Sequence, residues 1–175
     1  MISLSLPKIQ NYPVYAVPPL PQWVHPSGRF TLIGDAAHAM AFYLSMGVSL
    51  AVEDAAALVS VLNKVSRTND TKTSIDADRL KQALEAYETA RKARSTAVQV
   101  ASLHAGDMAH VENGPRRDKL YDTLRKDGMG EAVNPLAFDT RTSYGLADKD
   151  VRDWCYNFDA IADVDAAFDR LLAKA

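Results

Sequence analysis

The residues best suited to binding chemistry lie in the run GDAAHAM at positions 34–40, which Gly47 follows. Asp35 comes directly after a β-rich run, and there its carboxylate can accept hydrogen bonds from sugar-type hydroxyl groups. Gly47 begins a run with helical periodicity, and the first N–H groups of a helix have no acceptor within it. These groups favour an electron-rich ligand atom, because the positive end of the helix dipole lies there. The pattern therefore predicts one ligand that carries both kinds of group.

A strand and a helix must position these residues. Residues 29–33, RFTLI, are predicted to form a short strand that ends at Gly34. From Gly47 to about Val65, apolar residues recur at offsets of three and four, which predicts one buried helical face beginning at Val48. A strand needs paired neighbours, and the sequence predicts several helices but only one or two strands. The strand's partner is therefore expected either in the N-terminal segment or in another chain.

The rest of the chain is predicted to be mainly helical. A polar stretch over 66–74 is predicted to be a surface loop, and Ser74 or Asp76 is a candidate cap for a long helix that ends before Gly114. Three shorter helices are predicted near 118–126, 148–156 and 163–173, with a loop over 127–145. For Arg91 and Arg94, which flank Tyr87 on the long helix, a solvated face is favoured over buried ion pairs.

Composition excludes several classes of protein. Lys and Arg number 20 against 22 Asp and Glu, so no strong field would attract nucleic acid or an anionic membrane. Cys155 is the single cysteine, which excludes an internal disulfide and a cysteine-based zinc site. No second histidine lies at helical spacing from His38, so no metal site is predicted. The N-terminal residues lack the apolar core of a signal peptide, which favours a cytoplasmic location. The uncharged residues 36–52 are interpreted as a buried loop and helix start, not a membrane span.

A flavin has both of the ligand features that the run at positions 34–47 predicts. Its ribityl chain carries hydroxyl groups, and its pyrimidine carbonyl gains negative charge on reduction. The tract GRFTLIGDAAHAMAFYLSMGVSLAVEDAAALVSVL resembles the second flavin-contacting motif of the FAD-dependent aromatic-ring monooxygenases of group A, the salicylate and 4-hydroxybenzoate hydroxylase type. The segments PVYAVPPLPQWVHPSGR, YETARKARSTAVQVAS and DVRDWCYNFDA are similar to other parts of that family. The resemblance extends over most of the chain and identifies it as a C-terminal part of such a protein.

The resemblance implies an α/β fold class for the whole enzyme. This chain would be mostly α-helical, with one or two strands that complete a larger FAD-binding sheet. Residues 1–65 would be the C-terminal part of the FAD-binding domain, and residues 66–175 a helical C-terminal region. The implied activity is hydroxylation of an aromatic or polyketide-like small molecule, with FAD as cofactor and NAD(P)H as reductant, in secondary metabolism.

The resemblance also implies residue roles. The cofactor contacts would be Gly34, Asp35, Gly47, Val48 and Ser49. Asp35 would accept from a ribityl hydroxyl, and the backbone N–H groups of Gly47, Val48 and Ser49 would meet the pyrimidine ring. The candidates for the substrate pocket are His38, Phe42 and Tyr43. No residue is assigned to catalysis.

Two departures from the family pattern modify these expectations. Phe42 and Met46 stand where the family usually has proline and glutamine, so the loop loses a fixed φ angle and gains a bulky ring. The 175 residues also contain no Gly-x-Gly-x-x-Gly tract for the FAD pyrophosphate. We therefore expect FAD to bind weakly or not at all to the isolated chain.

The missing pyrophosphate motif also bears on partners. The apolar helix face beginning at Val48 would pack on a nucleotide-binding unit, so a complementary FAD-binding chain or self-association is expected. The alternative is a non-redox remnant, acting as an accessory subunit or as a cofactor-free isomerase or cyclase.

Overall fold

The computed structural model describes residues 12–67, 76–126 and 149–173 of the chain. These residues are mostly helical, as predicted. The helices are α1 (Asp35–His38), a 3₁₀ turn (Phe42–Leu44), α2 (Gly47–Arg67), α3 (Ala77–Ala109), α4 (Pro115–Lys126), α5 (Lys149–Tyr156) and α6 (Ala160–Leu172). The predicted loop over 127–145, most of the predicted loop over 66–74 and the candidate cap Ser74 fall outside the described residues. No helix among the described residues combines the length and apolar character needed to cross a membrane.

The strand predicted over 29–33 is not confirmed in the part of the chain that is described. Val24 and Thr31 form one isolated antiparallel bridge, and Leu32 N–H donates to the Trp23 carbonyl at 3.2 Å. Gly28, with φ +65°, turns the chain between the two arms. A longer pair of strands would need N–H donors along the segment before Gly28. That segment is rich in proline and therefore lacks several of these donors.

Helix α3 supplies the bonds that a sheet would otherwise provide to this extended segment. Glu88 Oε2 accepts from the N–H groups of Trp23 at 3.0 Å and Val24 at 2.8 Å. Tyr87 donates its hydroxyl hydrogen to the Leu32 carbonyl at 3.1 Å, and Gln99 donates to the Ala39 carbonyl at 3.2 Å. Because buried backbone groups must be paired, these side chains fix the path of the segment that leads to the GDAAH run.

Helix α2 begins at Gly47, as predicted, and continues two residues beyond the predicted end. The face buried within the described chain is not the one that begins at Val48, which is 79% exposed, with Val52 and Val59 also exposed. The buried positions on α2 are Leu50, Asp54, Ala57, Val61 and Val65. This face packs against α3 and α6, where Tyr87, Val164 and Phe168 complete the main core. The prediction that the face beginning at Val48 is buried is therefore wrong for the described residues, and a partner for that face stays a prediction.

Caps define the ends of the long helices. Asp76 accepts from the N–H of Asp78 at 2.9 Å and starts α3, and the helix ends before Gly114, as predicted. Asp159 caps α6 by accepting from Ile161 and Ala162, so that helix begins three residues before the predicted start at 163. The predicted division between residues 1–65 and 66–175 stays a prediction, although α2 shares its core with α3 and α6 across it.

Candidate functional site

A groove of about 450 Å³ lies between the GDAAH run and the start of α2. Its lining residues are Asp35, Met40, Ala41, Phe42, Ser45, Gly47, Val48 and Ala51. The structure therefore brings together three of the five predicted cofactor contacts, namely Asp35, Gly47 and Val48. It also places Phe42, one of the predicted pocket residues, at the same groove.

Asp35 reaches the groove because of the sharp turn before it. Gly34 has φ +57°, a left-handed conformation that residues with a side chain rarely adopt, and α1 begins at the next residue. Gly34 itself does not line the groove, and its N–H is already used by Asp54 at 2.9 Å. Asp35 is exposed, so its carboxylate is available to hydroxyl groups in the groove.

The second wall is the first turn of α2. The first bond within this part of the helix runs from Leu50 N–H to the Met46 carbonyl at 2.9 Å. The preceding N–H groups, those of Gly47, Val48 and Ser49, have no acceptor inside the helix. No acidic side chain occupies this first turn, so no carboxylate of the turn competes for them. Ser49 is exposed but does not line the groove.

The three predicted substrate-pocket residues have different surroundings. Phe42 is 62% exposed at the groove. Tyr43 does not line it, and its ring packs on Gly106 of α3 and meets His110 edge-on at 5.6 Å. His38 is fully buried behind the groove and bonds to Asp54 at 2.7 Å. Among the three, only Phe42 presents its side chain to the groove.

Asp54 is the centre of a buried polar network, a role that the sequence patterns did not assign to it. Its Oδ2 accepts from Gly34 N–H at 2.9 Å and from His38 Nε2 at 2.7 Å. Its Oδ1 accepts from Arg91 Nε at 2.9 Å. All three side chains are buried, so Asp54 links the GDAAH run to α3 through bonds that water does not reach.

Burial and bonding act in opposite directions on the pKa of Asp54. Loss of solvent raises this pKa, while the bonds from His38, Gly34 and Arg91 and the charge of Arg91 lower it. The net effect is a pKa below the ordinary value of 3.8, so the carboxyl group is ionised at neutral pH. His38 must then carry a hydrogen on Nε2, because the carboxylate can only accept.

The interpretation of Arg91 and Arg94 as a solvated face is wrong. Arg94 holds the Glu53 carboxylate with two hydrogen bonds, from Nε at 2.7 Å and from Nη2 at 2.8 Å. Nη1 of Arg91 lies 2.8 Å from Glu53 Oε2, an ion-pair contact without hydrogen-bond geometry. Glu53 and Asp54 thus balance both guanidinium groups in the interior.

The same network reaches the C-terminal helices. Arg94 donates to the carbonyl oxygens of Trp154 at 3.3 Å and Cys155 at 2.9 Å, and Phe158 lies 4.0 Å from the Arg94 guanidinium. Burial raises the pKa of the Cys155 thiol to about 11; the charge of Arg94 lowers this pKa and that of Glu53 raises it. Cys155 is therefore a protonated, buried thiol. The adjacent acids of the VEDAA run, followed by two arginines on a later helix, were the available signal for this network.

The groove thus places an exposed carboxylate beside the N-terminus of a helix. The model of a family described as an FAD binding domain matches residues 24–102. The chain is 33% identical over 155 residues to the FAD-dependent monooxygenase atnJ of Arthrinium sp, covering 85% of this chain and 34% of that protein. It is 33% identical over 152 residues to a salicylate hydroxylase of Pseudomonas putida, covering 87% of this chain and 28% of the relative. With 3-hydroxybenzoate 6-hydroxylase 1 of Aquipseudomonas alcaligenes the identity is 40% over 96 residues, 55% of this chain and 21% of the relative.

Residues 24–102 of the chain match an FAD binding domain, and most of the chain is similar to part of these FAD-dependent monooxygenases and hydroxylases. It spans about a third of the length of the curated relatives it matches, or less. The matched range, 24–102, contains both walls of the groove and the Asp54 network.

The groove residues suit the flavin end of FAD. An exposed carboxylate at Asp35 and unpaired N–H groups at the start of α2 line one space. A Cβ atom added at Gly47 would meet no protein atom within 4 Å, so a planar ring has room to approach this backbone.

Proposed function

We propose that this chain supplies the flavin end of the FAD site in a monooxygenase that hydroxylates an aromatic or polyketide-like small molecule with NAD(P)H as reductant. The observation that carries this proposal is that Asp35 and the free first turn of α2 share one groove. A carboxylate acceptor on one wall and amide donors on the other match the two polar ends of a ribityl-flavin unit.

Each residue of the groove has a binding role in this proposal. Asp35 accepts a hydrogen bond from a ribityl hydroxyl, with Gly34 setting the turn that brings it there. The N–H groups of Gly47, Val48 and Ser49 donate to the pyrimidine end of the ring and favour negative charge on it. When bound, FAD supplies the redox chemistry, and the protein contributes orientation and electrostatics.

We assign Phe42 to the substrate side of the groove, since its ring is exposed there. Tyr43 and His38 affect the site through the position of their backbone and not through side-chain contacts. The side chain of Tyr43 packs on Gly106, and that of His38 is buried. An aromatic substrate would meet Phe42 through stacking or edge contacts.

A second part of the proposal concerns the apolar face of α2 made of Val48, Val52, Ala55 and Val59, which we name the valine face. These residues follow the spacing of one helix side, and all four are exposed. We assign it to a complementary FAD-binding polypeptide that carries the pyrophosphate site, in the same longer protein or in a separate one. The valine face begins at the groove, so a unit seated on it would stand next to the proposed flavin end.

Flavin titration tests the groove with three ligands. Riboflavin and FAD share the ribityl-flavin unit, whereas lumiflavin has the ring without the ribityl chain. If this chain holds only the flavin end, riboflavin and FAD should bind it with similar Kd values, measured by quenching of flavin fluorescence. Asp35→Asn should weaken riboflavin binding about tenfold, the worth of one good charge-assisted hydrogen bond, and leave lumiflavin binding unchanged.

The matched control is Asp169→Asn, an exposed carboxylate on α6 that pairs with Lys64 at 3.5 Å and does not line the groove. This control should bind all three ligands as the unsubstituted chain does. Equal riboflavin affinity in the Asp35→Asn and unsubstituted chains would overturn the proposed role of Asp35. A strong preference for FAD over riboflavin would instead show that this chain itself holds the pyrophosphate.

A further inference from the structure

We infer that Asp54 is the positioning residue of the proposed flavin site, holding the loop Gly34–His38 in place through Gly34 and His38. This inference rests on the proposed function, since it explains how Asp35 is kept at the groove. Asp54 touches neither the groove nor Asp35 directly, and it is absent from the groove lining. Its effect on a ligand must therefore pass through the loop.

The first argument is the way the bonds enclose Asp35. Asp54 Oδ2 holds the residue before Asp35, Gly34, and the residue three positions after it, His38. The loop is also closed on itself by the N–H groups of Ala37 and His38, which both donate to the Gly34 carbonyl at 2.9 Å. One carboxylate oxygen therefore fixes both ends of the only turn that carries Asp35.

The second argument is that no neutral side chain of the same shape can replace this carboxylate. Three donors converge on Asp54: Gly34 N–H and His38 Nε2–H on one oxygen, and Arg91 Nε–H on the other. An asparagine has one acceptor oxygen and one NH₂ donor. In either orientation of its amide, the NH₂ group would face a second donor, from Arg91 or from the loop. The pairing thus requires aspartate itself.

The third argument is charge balance across the interior. Glu53 and Asp54 oppose Arg91 and Arg94, so the four groups are neutral as a set. His38 Nδ1 is buried and has no hydrogen-bond partner among the described residues. An uncharged His38 with its hydrogen on Nε2 suits this environment, because a hydrogen on Nδ1 would be an unpaired buried donor. The histidine therefore serves as a fixed donor to Asp54.

A double-mutant cycle on the whole chain tests this inference. The variants are Asp54→Asn, Asp35→Asn and both together, and the ligands are riboflavin and lumiflavin. If Asp54 acts through Asp35, Asp54→Asn weakens riboflavin binding up to tenfold, and the double variant binds no worse than Asp35→Asn alone. Lumiflavin binding stays within twofold in all of them. Val164→Ala, a core change on α6, is the control for lowered stability.

Additive losses of riboflavin affinity, or an equal loss for lumiflavin, would overturn the positioning role. So would unchanged riboflavin binding in the Asp54→Asn chain. If Asp35→Asn has no effect on riboflavin, the proposed function fails, and hydrogen exchange then decides the inference separately. The Gly34 amide should exchange at least tenfold faster in Asp54→Asn than in Val164→Ala, and equal rates would refute it.

If Asp54→Asn does not fold, a pair of His38 variants tests whether Asp54 holds the loop. His38→Gln keeps an N–H donor near the position of Nε2, whereas His38→Leu removes it. The expected result is that His38→Leu weakens riboflavin binding and speeds Gly34 exchange, while His38→Gln restores most of both. Equal behaviour of the two variants would show that the hydrogen bond to Asp54 does not hold the loop.

Discussion

Replacing Gly47 with alanine should stabilise the chain and weaken flavin binding at the same time. Gly47 does not have a positive φ, and the added methyl group would meet no protein atom within 4 Å. Reduced freedom of the unfolded chain should therefore raise the free energy of unfolding by about 0.4–1 kcal/mol. For a chain of this size that corresponds to a Tm increase of roughly 1–4 °C.

The cost of Gly47→Ala appears only when a ligand is present. Because Gly47 lines the groove, its methyl group would take space that a flavin ring needs beside the helix end. Overpacking by one methyl group costs about 1–3 kcal/mol. We therefore expect the Kd of riboflavin to rise roughly five- to a hundredfold.

Gly106→Ala is the matched comparison, since it makes the same chemical change on another helix. Here the new Cβ would lie 2.5 Å from Cε2 of Tyr43, inside the packed structure. Overpacking of about 1–3 kcal/mol outweighs a helix-propensity gain of about 1 kcal/mol, so stability should fall or stay level. Urea denaturation measures the stability of both variants, and fluorescence titration measures riboflavin affinity. A Gly47→Ala chain that is more stable and binds riboflavin normally would refute a close approach of the ring to this backbone.

Three other perturbations test the buried network. The pKa of Asp54 is lowered in the folded state, so the ionised carboxylate stabilises the fold above the unfolded pKa of 3.8. This stabilisation is lost as the pH falls through the folded pKa. The Tm of Asp54→Asn should therefore change less between pH 5 and acid than that of the unsubstituted chain. Arg94→Met should lower the free energy of unfolding, measured by urea denaturation, by about 3–5 kcal/mol. The reason is that Glu53 and two carbonyl groups lose the donor that Arg94 provides. A loss below about 1 kcal/mol would contradict the bidentate pairing. Cys155, buried and with a pKa of about 11, should react with a thiol reagent at pH 8 far more slowly in the native chain than in urea, and equal rates would mean that it is accessible.

Sequence patterns located two walls of the groove through local features. The GDAAH run and Gly47 predicted a carboxylate and a helix start, and the structure puts Asp35 and Gly47 at one groove. The roles of these residues toward a flavin stay predictions. The family resemblance placed His38 and Tyr43 beside the ligand, but the side chain of His38 bonds to Asp54 and that of Tyr43 packs on Gly106. Sequence proximity does not determine which side of a turn a side chain takes.

The amino-acid sequence by itself predicted the helices and the resemblance of this chain to FAD-dependent monooxygenases. Helix starts and periodicity depend on residues within a few positions of one another, such as the cap at Asp76, so they can be predicted without a fold. Only the tertiary structure decided that Asp54 is in the core and that the valine face is outside it. A hydrophobic pattern predicts that an acidic residue lies on the surface. Asp54 is buried instead because Arg91, 37 positions away, lies opposite it. That pairing depends on how α2 and α3 are rotated against each other, which is a property of their packing and not of either helix alone.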